Sequence, residues 1–281
     1  MRMSVTVTGG RLQVTDVGRG PLVVCVHGTP TFSHEWRHVV AGLSDRFRVV
    51  APDHLGFGYS DRPHDADYSP EAHARRFSEC LAQVAPTGPL TLVVHDFGGP
   101  IALDWALNHP DRLTRLVIVN SWMWSFDDDP QMRRRARMAS TPLARWLYRR
   151  WNASLRIIMP SAYGDRRALT SEIHQIYLER FSDPEGRDRV LFALAASLLG
   201  SRAFFASLWS RRDVLASVPM NIMWGMCDSA FRPSFLTRWI ETFPHAAVHR
   251  FVRAGHWPHE EEPRTFVDIL ERTLVGDVSA K

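Results

Sequence analysis

An aspartate stands where a sharp turn between a strand and a helix would display a nucleophile. The segment Val93–Gly99 follows a short apolar run, and a helical pattern starts at Pro100. In the serine form of this turn the pattern is G-x-S-x-G, whereas here Asp96 takes the central position between Val94 and Gly98. A carboxylate nucleophile attacks a saturated carbon and forms an alkyl ester, which points away from peptidases and lipases. Aspartate is also a favoured helix N-cap, so these residues alone leave both interpretations open.

An acid and a histidine follow two later apolar runs. Asp228 lies just beyond Met220–Trp224, where a carboxylate can orient a histidine, although aspartate is also common in turns. His256 lies beyond Ala247–Phe251, between a glycine and an aromatic residue, and is the natural general base. A lone histidine is more often structural. Here, however, Asp96, Asp228 and His256 follow the nucleophile–acid–histidine order of α/β-hydrolases, each behind its own strand.

A third segment is placed to stabilise negative charge during such a reaction. The turn His27–Pro30 directly follows the apolar run that ends at Val26. We expect the backbone N–H of Thr29, together with that of Phe97, to form an oxyanion hole. Alone, the same turn is equally consistent with a simple Gly-Pro connection.

Short apolar runs alternate with helix-length segments over the first 120 residues, which predicts a mostly parallel central sheet flanked by helices. The runs predicted to be strands are Arg11–Val17, Leu22–Val26, Phe47–Ala51, Leu90–Val94, Leu116–Val119, Met220–Trp224 and Ala247–Phe251. Helical patterns cover Glu35–Leu43, Pro70–Val84 and Pro263–Leu274. From about residue 128 to residue 212 the pattern is helical throughout. We therefore expect an α/β core built from residues 1–127 and 213–281, with a helical cap inserted at 128–212.

The composition is that of an ordinary globular protein. The 281 residues are 45% apolar and 23% charged, with a net charge of +4, so no nucleic-acid partner is expected. The run Arg133–Arg137 is interpreted as the solvated face of a helix. Three widely separated cysteines and the absence of a metal-binding motif predict neither a disulfide framework nor a metal site. We expect a cytoplasmic protein with no membrane partner, because no apolar run approaches the roughly 18 residues that span a bilayer.

These motifs resemble the aspartate-nucleophile branch of the α/β-hydrolase fold, which includes haloalkane dehalogenases and epoxide hydrolases. The resemblance covers essentially the whole chain and is strongest to haloalkane dehalogenases around Asp96 and Asp228. It implies that Asp96 displaces a leaving group from an sp³ carbon and becomes an alkyl ester. His256, oriented by Asp228, would then activate a water that cleaves the ester. No cofactor is implied; the expected partners are a small apolar organic substrate and water, and a homo-oligomer is left open.

Two departures from the dehalogenase pattern concern the leaving halide. Dehalogenases usually carry Trp after the nucleophile and often Asn in the His-Gly turn, and here these positions are Phe97 and Thr29. Phe97 has no side-chain N–H to donate. Replacement donors are therefore expected in the Thr29 hydroxyl, in Trp122 or Trp124 near the start of the cap, or in the cap residues Trp146, Trp151 or Trp209.

Two alternatives remain open at this point. An epoxide hydrolase would tolerate Phe97, because its leaving oxygen stays attached to the substrate and is protonated by cap tyrosines. The candidate proton donors in the cap are Tyr148, Tyr163 and Tyr177. A non-catalytic ligand-binding homologue is a more distant alternative, because a binding protein has no need of all three residues of an Asp–His–Asp triad. In each case we expect the pocket between core and cap, with an aromatic lining.

Overall fold

An eight-stranded sheet forms the centre of the molecule, whose computed structural model describes residues 2–276. The strands are β1 (Arg2–Val7), β2 (Gly10–Val17), β3 (Leu22–Val26), β4 (Arg48–Pro52), β5 (Leu90–Asp96), β6 (Leu113–Ser121), β7 (Met220–Gly225) and β8 (Ala247–Phe251). Their order across the sheet is β1-β2-β4-β3-β5-β6-β7-β8. β1 and β2 pair antiparallel, as do β2 and β4, and every other pairing is parallel. The predicted mostly parallel sheet is thus confirmed.

Helices cover both faces of this sheet and fill the connection between β6 and β7. They are α1 (Arg37–Leu43), α2 (Pro70–Val84), α3 (Gly98–Asn108), α4 (Pro130–Ala139), α5 (Pro142–Trp151), α6 (Met159–Ala162), α7 (Ser171–Arg180), α8 (Pro184–Gly186), α9 (Ala193–Gly200), α10 (Arg202–Ser210), α11 (Pro233–Thr242), α12 (Pro258–Glu261) and α13 (Pro263–Gly276). Two π-helical turns, Ser154–Ile158 and Arg187–Phe192, interrupt the helices between β6 and β7. Within residues 2–276, no single helix has the length and hydropathy to cross a bilayer, although Pro184–Gly200 and Arg202–Ser210 together do, with a 62° bend between them.

The central strands are apolar along their whole length because both of their faces are covered. In β5, Leu92 and Val94 belong to the larger hydrophobic cluster on one face, whereas Val93 belongs to the smaller cluster on the other. Val24 and Cys25 of β3 divide in the same way. Successive side chains of a strand point to opposite faces of the sheet. A strand covered on both faces therefore needs an unbroken apolar run.

All seven predicted strands are confirmed, with ends that differ by at most three residues. The eighth strand, β1, lies at the sheet edge, and its alternating burial explains why it lacks a continuous apolar run. α11 was not predicted. Among the described residues between Ser121 and Met220 there is no strand, and the proposed cap boundaries at 128 and 212 fall inside this helical segment.

Candidate active site

Asp96 lies at the point where β5 turns into α3. Its backbone φ is +49°, in the left-handed region that costs energy for a residue with a side chain. The turn is tight, since a Cβ on Gly98 would collide with the Val26 carbonyl oxygen and one on Gly99 would collide with Ser121 Oγ. The helix N-cap position is Phe97, so Asp96 does not act as the N-cap of α3.

Asp96, His256 and Asp228 lie together at the carboxyl edge of the sheet. His256 Nδ1 is 2.7 Å from Asp228 Oδ2, and His256 Nε2 is 3.4 Å from Asp96 Oδ2. The other carboxylate oxygen, Asp96 Oδ1, accepts a hydrogen bond of 2.8 Å from the backbone N–H of Thr29. All three triad side chains are buried. The histidine thus bridges two carboxylates, one at each ring nitrogen.

This arrangement changes the protonation of the histidine. Burial by itself lowers the pKa of His256, but the carboxylates of Asp228 and Asp96 outweigh burial and raise it to about 10. Burial raises the pKa of Asp96, but the hydrogen bond and charge of His256 outweigh that effect, so the Asp96 pKa lies below its ordinary value. Near neutral pH the resting site therefore holds an imidazolium between two carboxylates.

Asp228 is held in place by groups from two neighbouring segments. Its Oδ1 accepts hydrogen bonds from the backbone N–H groups of Ala230 and Phe231, at 2.6 and 3.0 Å. Its Oδ2 accepts one of 2.8 Å from the side-chain amide of Asn120, which lies near the end of β6 with a φ of +33°. The sequence analysis does not predict this role of Asn120 in holding Asp228. The available signal was a polar residue that immediately follows the apolar run ending at Val119.

A second group of titratable side chains lies behind the triad. His95 Nε2 is 2.9 Å from the carbonyl oxygen of His256, and its Nδ1 is 3.1 Å from Glu35 Oε1. Since the carbonyl can only accept, Nε2 carries the proton and donates. Glu35, His95 and His259 also form a group of three buried side chains whose ligand atoms lie close enough to hold a metal ion. His95 already uses both ring nitrogens in hydrogen bonds, so we interpret the group as a support for the backbone at His256.

A cavity of about 310 Å³ lies between the carboxyl edge of the sheet and the helical segment after β6. Asp96, Thr29 and Phe97 form its floor, and most of its other lining residues are apolar. Two of the lining residues, Thr29 and Trp122, each have a buried polar atom, Oγ1 and Nε1 respectively, with no hydrogen-bond partner among the described residues. Trp122 also packs edge-on against Phe97, with 4.8 Å between ring centroids.

Of the side chains predicted to stabilise the leaving group, some line the cavity and others lie outside it. Trp122 and Tyr148 line the cavity. Trp124 instead packs against Trp209, Phe235 and Trp239. Tyr163 and Tyr177 both donate hydrogen bonds to the carboxylate of Glu260, outside the cavity lining.

The chemistry of Tyr148 follows from its surroundings. Burial raises the pKa of Tyr148 to about 12, a hydrogen bond with Ser154 opposes this, and the charge of Asp96 adds to it. The hydroxyl therefore stays protonated near neutral pH and is a donor. Of the three predicted cap tyrosines, Tyr148 is the one that faces the carboxylate of Asp96.

Comparison with known proteins agrees with this architecture. The model of the alpha/beta hydrolase fold family matches residues 21–263. The chain belongs to the α/β-hydrolase family. Haloalkane dehalogenase 2 of Mycobacterium bovis is 33% identical to this hydrolase over 269 residues, which cover 94% of this chain and 91% of that protein. A cis-3-alkyl-4-alkyloxetan-2-one decarboxylase of Xanthomonas campestris is 31% identical over 91% of this chain and 88% of its own.

Solved structures show the same fold. The crystal structure of haloalkane dehalogenase DbeA from Bradyrhizobium elkani superposes with a TM-score of 0.87, at 22% identity and with 100% of this chain and 99% of that chain covered. DatA from Agrobacterium tumefaciens C58 superposes with a TM-score of 0.84, at 22% identity and with 98% and 96% covered. The protein is an enzyme of the haloalkane dehalogenase-like type.

Proposed function

We propose that this α/β-hydrolase removes halide from small apolar haloalkanes through an ester intermediate on Asp96. The observation that carries the proposal is a buried, ionised carboxylate at the floor of an apolar cavity, with a histidine bound to a second carboxylate beside it. Asp96 lies on a strained turn, with its backbone φ in the left-handed region. A catalytic group held in such a conformation is typical of sites where strain is retained for function.

In the first step Asp96 Oδ2 attacks the carbon that carries the halogen. Oδ1 is held by the N–H of Thr29 at 2.8 Å, whereas Oδ2 has a longer contact, 3.4 Å to His256 Nε2, so we assign the attack to Oδ2. The carbon–halogen bond breaks as the carbon–oxygen bond forms, and the halide leaves with the bonding electron pair. The products of this step are an alkyl ester on Asp96 and a halide ion within the cavity.

Two donors are available for the departing halide. Thr29 and Trp122 line the cavity, and their Oγ1 and Nε1 atoms are buried without hydrogen-bond partners among the described residues, which costs free energy. A halide beside Asp96 would satisfy both. This pair would supply the side-chain donors for the halide that are missing because Phe97 replaces the usual tryptophan. Trp124 does not line the cavity and is not included in this proposal.

The second step depends on a change in the charge of Asp96. Alkylation neutralises this carboxylate and removes one of the two charges that hold the pKa of His256 high. The imidazolium can then lose the proton on Nε2 to solvent, while the hydrogen bond to Asp228 keeps the proton on Nδ1. Neutral Nε2 next accepts a proton from a water molecule. The water oxygen attacks the ester carbonyl, and the oxyanion lies on the N–H groups of Thr29 and Phe97. Cleavage of the bond between the acyl carbon and the alkoxy oxygen releases the alcohol, which takes its proton from His256.

Ring opening of an epoxide is a second candidate, and Tyr148 is the observation that favours it. Its hydroxyl faces the cavity and remains protonated, as a donor to the leaving oxygen requires. Tyr163 and Tyr177 are held by Glu260, so Tyr148 would act without a second cap tyrosine. The relative named as an oxetan-2-one decarboxylase adds a second strained oxygen ring to test as a substrate.

The deciding experiment traps the ester in a His256→Phe variant. Because His256 serves the second step, its loss should leave Asp96 alkylated after incubation with 1-bromobutane. Intact-protein mass spectrometry should show the gain of one butyl group, with one bromide released per enzyme. Parallel incubations with styrene oxide and with a cis-3,4-dialkyl oxetan-2-one test the two alternatives.

A double variant, His256→Phe with Asp96→Asn, is the control for the position of the adduct. It should gain no mass with any of the three reagents. A gain of the whole epoxide, without butylation by the bromide, would replace the dehalogenase assignment with epoxide hydrolysis. If the single variant gains no mass from any reagent, Asp96 is not a nucleophile towards these classes and the proposal fails.

A further inference from the structure

The outer surface of the helical segment carries an unusual combination of arginine and exposed apolar side chains. Residues 130–164 contain eight arginines and no aspartate or glutamate. Since the whole chain has 34 basic and 30 acidic residues, the rest of the protein has a formal net charge of −4. The positive charge is therefore concentrated here. We call the exposed surface of α4, α5 and the π-helical turn Ser154–Ile158 the cap face.

The same stretch holds most of the exposed large apolar side chains. Of the nine in the described part of the chain, six lie here, namely Met138, Leu143, Trp146, Trp151, Ile157 and Ile158. In α5, Leu143, Trp146 and Arg150 are spaced at i, i+3 and i+7, which places them on one side of the helix. Leu143 is 66% exposed and Trp151 59%, although single-chain proteins normally cover such residues when they cluster.

The arginines of the cap face are mostly free to bind something else. Within residues 2–276, Arg145 is the one of the eight that forms an ion pair with a carboxylate, that of Asp188. Nearby Glu185 pairs with Arg189, and Asp183 pairs with Arg62. Two of the three aspartates before α4, Asp127 and Asp129, pair with Arg202 and Arg232. The cap face therefore presents uncompensated positive charge beside tryptophan, leucine and isoleucine.

We propose that the cap face docks onto an anionic lipid bilayer. A helical segment rich in arginine whose exposed surface also carries tryptophan and leucine has the composition of a segment that lies in a membrane interface. Arginine can reach the headgroups while its aliphatic stem follows the apolar side chains, and tryptophan favours the boundary between headgroup and acyl chain. Each basic residue near such a surface strengthens binding by about fivefold.

The two competing occupants fit less well. A symmetric dimer through the cap face would place two strongly positive surfaces against each other, because a twofold interface pairs a patch with itself. A nucleic acid would neutralise the arginines but would leave the exposed tryptophans and isoleucines largely without apolar contacts, since such interfaces are polar. The expectation of no membrane partner was based on the absence of an apolar run long enough to span a bilayer. A segment that lies in the membrane interface does not need such a run.

The location of the cavity gives this docking a consequence for the enzyme. Arg135 and Ile158 are both exposed and both line the cavity above Asp96, so the cavity opens onto the cap face. Docking would place this opening against the acyl chains. An apolar substrate dissolved in the bilayer could then enter without crossing water. This last step rests on the proposed function, whereas the docking itself does not.

The test is flotation of the purified full-length protein with vesicles. Vesicles of phosphatidylcholine with 30% phosphatidylglycerol should carry the protein to the top of the gradient, and vesicles of pure phosphatidylcholine should not. Raising the salt concentration should weaken binding to the anionic vesicles. Failure to float with anionic vesicles at low salt would overturn the proposal, whatever the result of the activity assays.

Two sets of variants separate the apolar and the charged contributions. Leu143→Ser with Trp146→Ser and Trp151→Ser removes exposed apolar groups, and Arg134→Gln with Arg137→Gln and Arg150→Gln removes charge. At about fivefold per arginine, the second set should weaken partitioning by about a hundredfold. The matched controls are Val252→Ser for the apolar set and Arg250→Gln with Arg253→Gln and Arg264→Gln for the charged set, all at exposed positions of the core. Controls and wild type should bind alike.

Binding to soluble polyanions distinguishes a lipid-binding surface from one that binds any negative charge. A 30-base-pair DNA duplex and poly-glutamate are assayed with the same variants. If these bind as tightly as anionic vesicles, and the apolar variant binds vesicles as well as wild type does, the cap face is a general polyanion surface and the proposal is wrong. Concentration-dependent dimerisation abolished by the apolar variant, without flotation, would show instead that the occupant is a second copy of the chain.

Discussion

Two buried carboxylates near the carboxyl edge of the sheet have opposite surroundings. Asp96 has one oxygen bound to the Thr29 N–H, while the other lies 3.4 Å from His256 and faces a cavity. Glu260 lies four residues after His256 and is just as buried, but it accepts hydrogen bonds from Arg37, Tyr163 and Tyr177. The difference shows that burial alone does not make a carboxylate reactive. A carboxylate that faces a cavity can meet a substrate, whereas one whose oxygens are bonded to side chains of neighbouring segments fastens those segments together.

The fastening by Glu260 has a clear structural purpose. Tyr163 and Tyr177 come from the helical segment after β6, and Arg37 begins α1 of the core. Close by, the backbone N–H of His256 donates a 2.8 Å hydrogen bond to the carbonyl of Ala162. Glu260 therefore secures the helical segment to the loop that carries the histidine. Its role is to position these elements, and it makes no contact with the cavity.

The largest expected effect is that of Asp96→Asn on turnover. A neutral amide cannot displace halide, so kcat/KM should fall by about 10⁴-fold or more. The unfolding free energy should fall only modestly near neutral pH, because the folded state favours the charged form of Asp96, whose pKa lies below its ordinary value. Bromide release and urea unfolding measure the two quantities. Asp104→Asn, on the same turn's helix and away from the cavity, should keep wild-type activity. Turnover at a wild-type rate by the Asp96→Asn enzyme would remove the distinction between the two carboxylates.

Glu260→Ala should show the reverse pattern. Its loss leaves the Arg37 guanidinium and two buried tyrosine hydroxyls without their partner, which should cost about 3 kcal/mol of unfolding free energy. Ester formation by the protein that remains folded should change little. Urea unfolding and the pre-steady-state bromide burst measure stability and chemistry separately. Glu262→Ala, a neighbouring acid that is partly exposed, is the control. Unchanged stability with a lost burst would instead place Glu260 in the catalytic machinery.

Trp122→Phe should have an intermediate effect, confined to the leaving group. Removal of one well-placed donor from a buried site costs about a hundredfold in rate. The loss should be greater for a chloroalkane than for an iodoalkane, since chloride develops charge that needs more stabilisation. Trp124→Phe, two residues away and outside the cavity, is the matched control. Equal losses for both variants, or no dependence on the halogen, would show that Trp122 only packs against Phe97.

These two tryptophans also mark the limit of prediction from sequence. The positions of Asp96, Asp228 and His256 followed from local patterns, because each residue comes directly after an apolar strand whose partner strands are recognisable. Trp122 and Trp124 follow the same strand, and their different surroundings depend on how the chain turns after Ser121. That path is set by distant residues, including α11, whose Trp239 donates a hydrogen bond to the Ser121 carbonyl.

The tyrosines and the cap face illustrate the same limit. Tyr148 could not be separated from Tyr163 and Tyr177 without knowing that Glu260 takes the latter two. In the run Arg133–Arg137, predicted to be a solvated face, Arg134, Arg135 and Arg137 are exposed, whereas Arg133 is partly buried. The association of this run with uncovered apolar side chains was invisible, because helical periodicity shows that Leu143 and Trp146 share a side but not whether another element covers them.

The smallest expected effect is that of pH on kcat/KM. In the free enzyme the two carboxylates hold the pKa of His256 at about 10, while the pKa of Asp96 lies below its ordinary value. Neither group titrates between pH 6 and pH 9, so kcat/KM should vary by less than about threefold over that range. The profile of kcat should differ, because the esterified Asp96 no longer contributes negative charge. It should rise with pH through a pKa well below 10, as His256 becomes the neutral base. Glu260→Gln should leave both profiles unchanged. A bend in kcat/KM near the ordinary histidine pKa would show that Asp96 and His256 are not paired in the resting enzyme, and Asp96 would then resemble an isolated carboxylate.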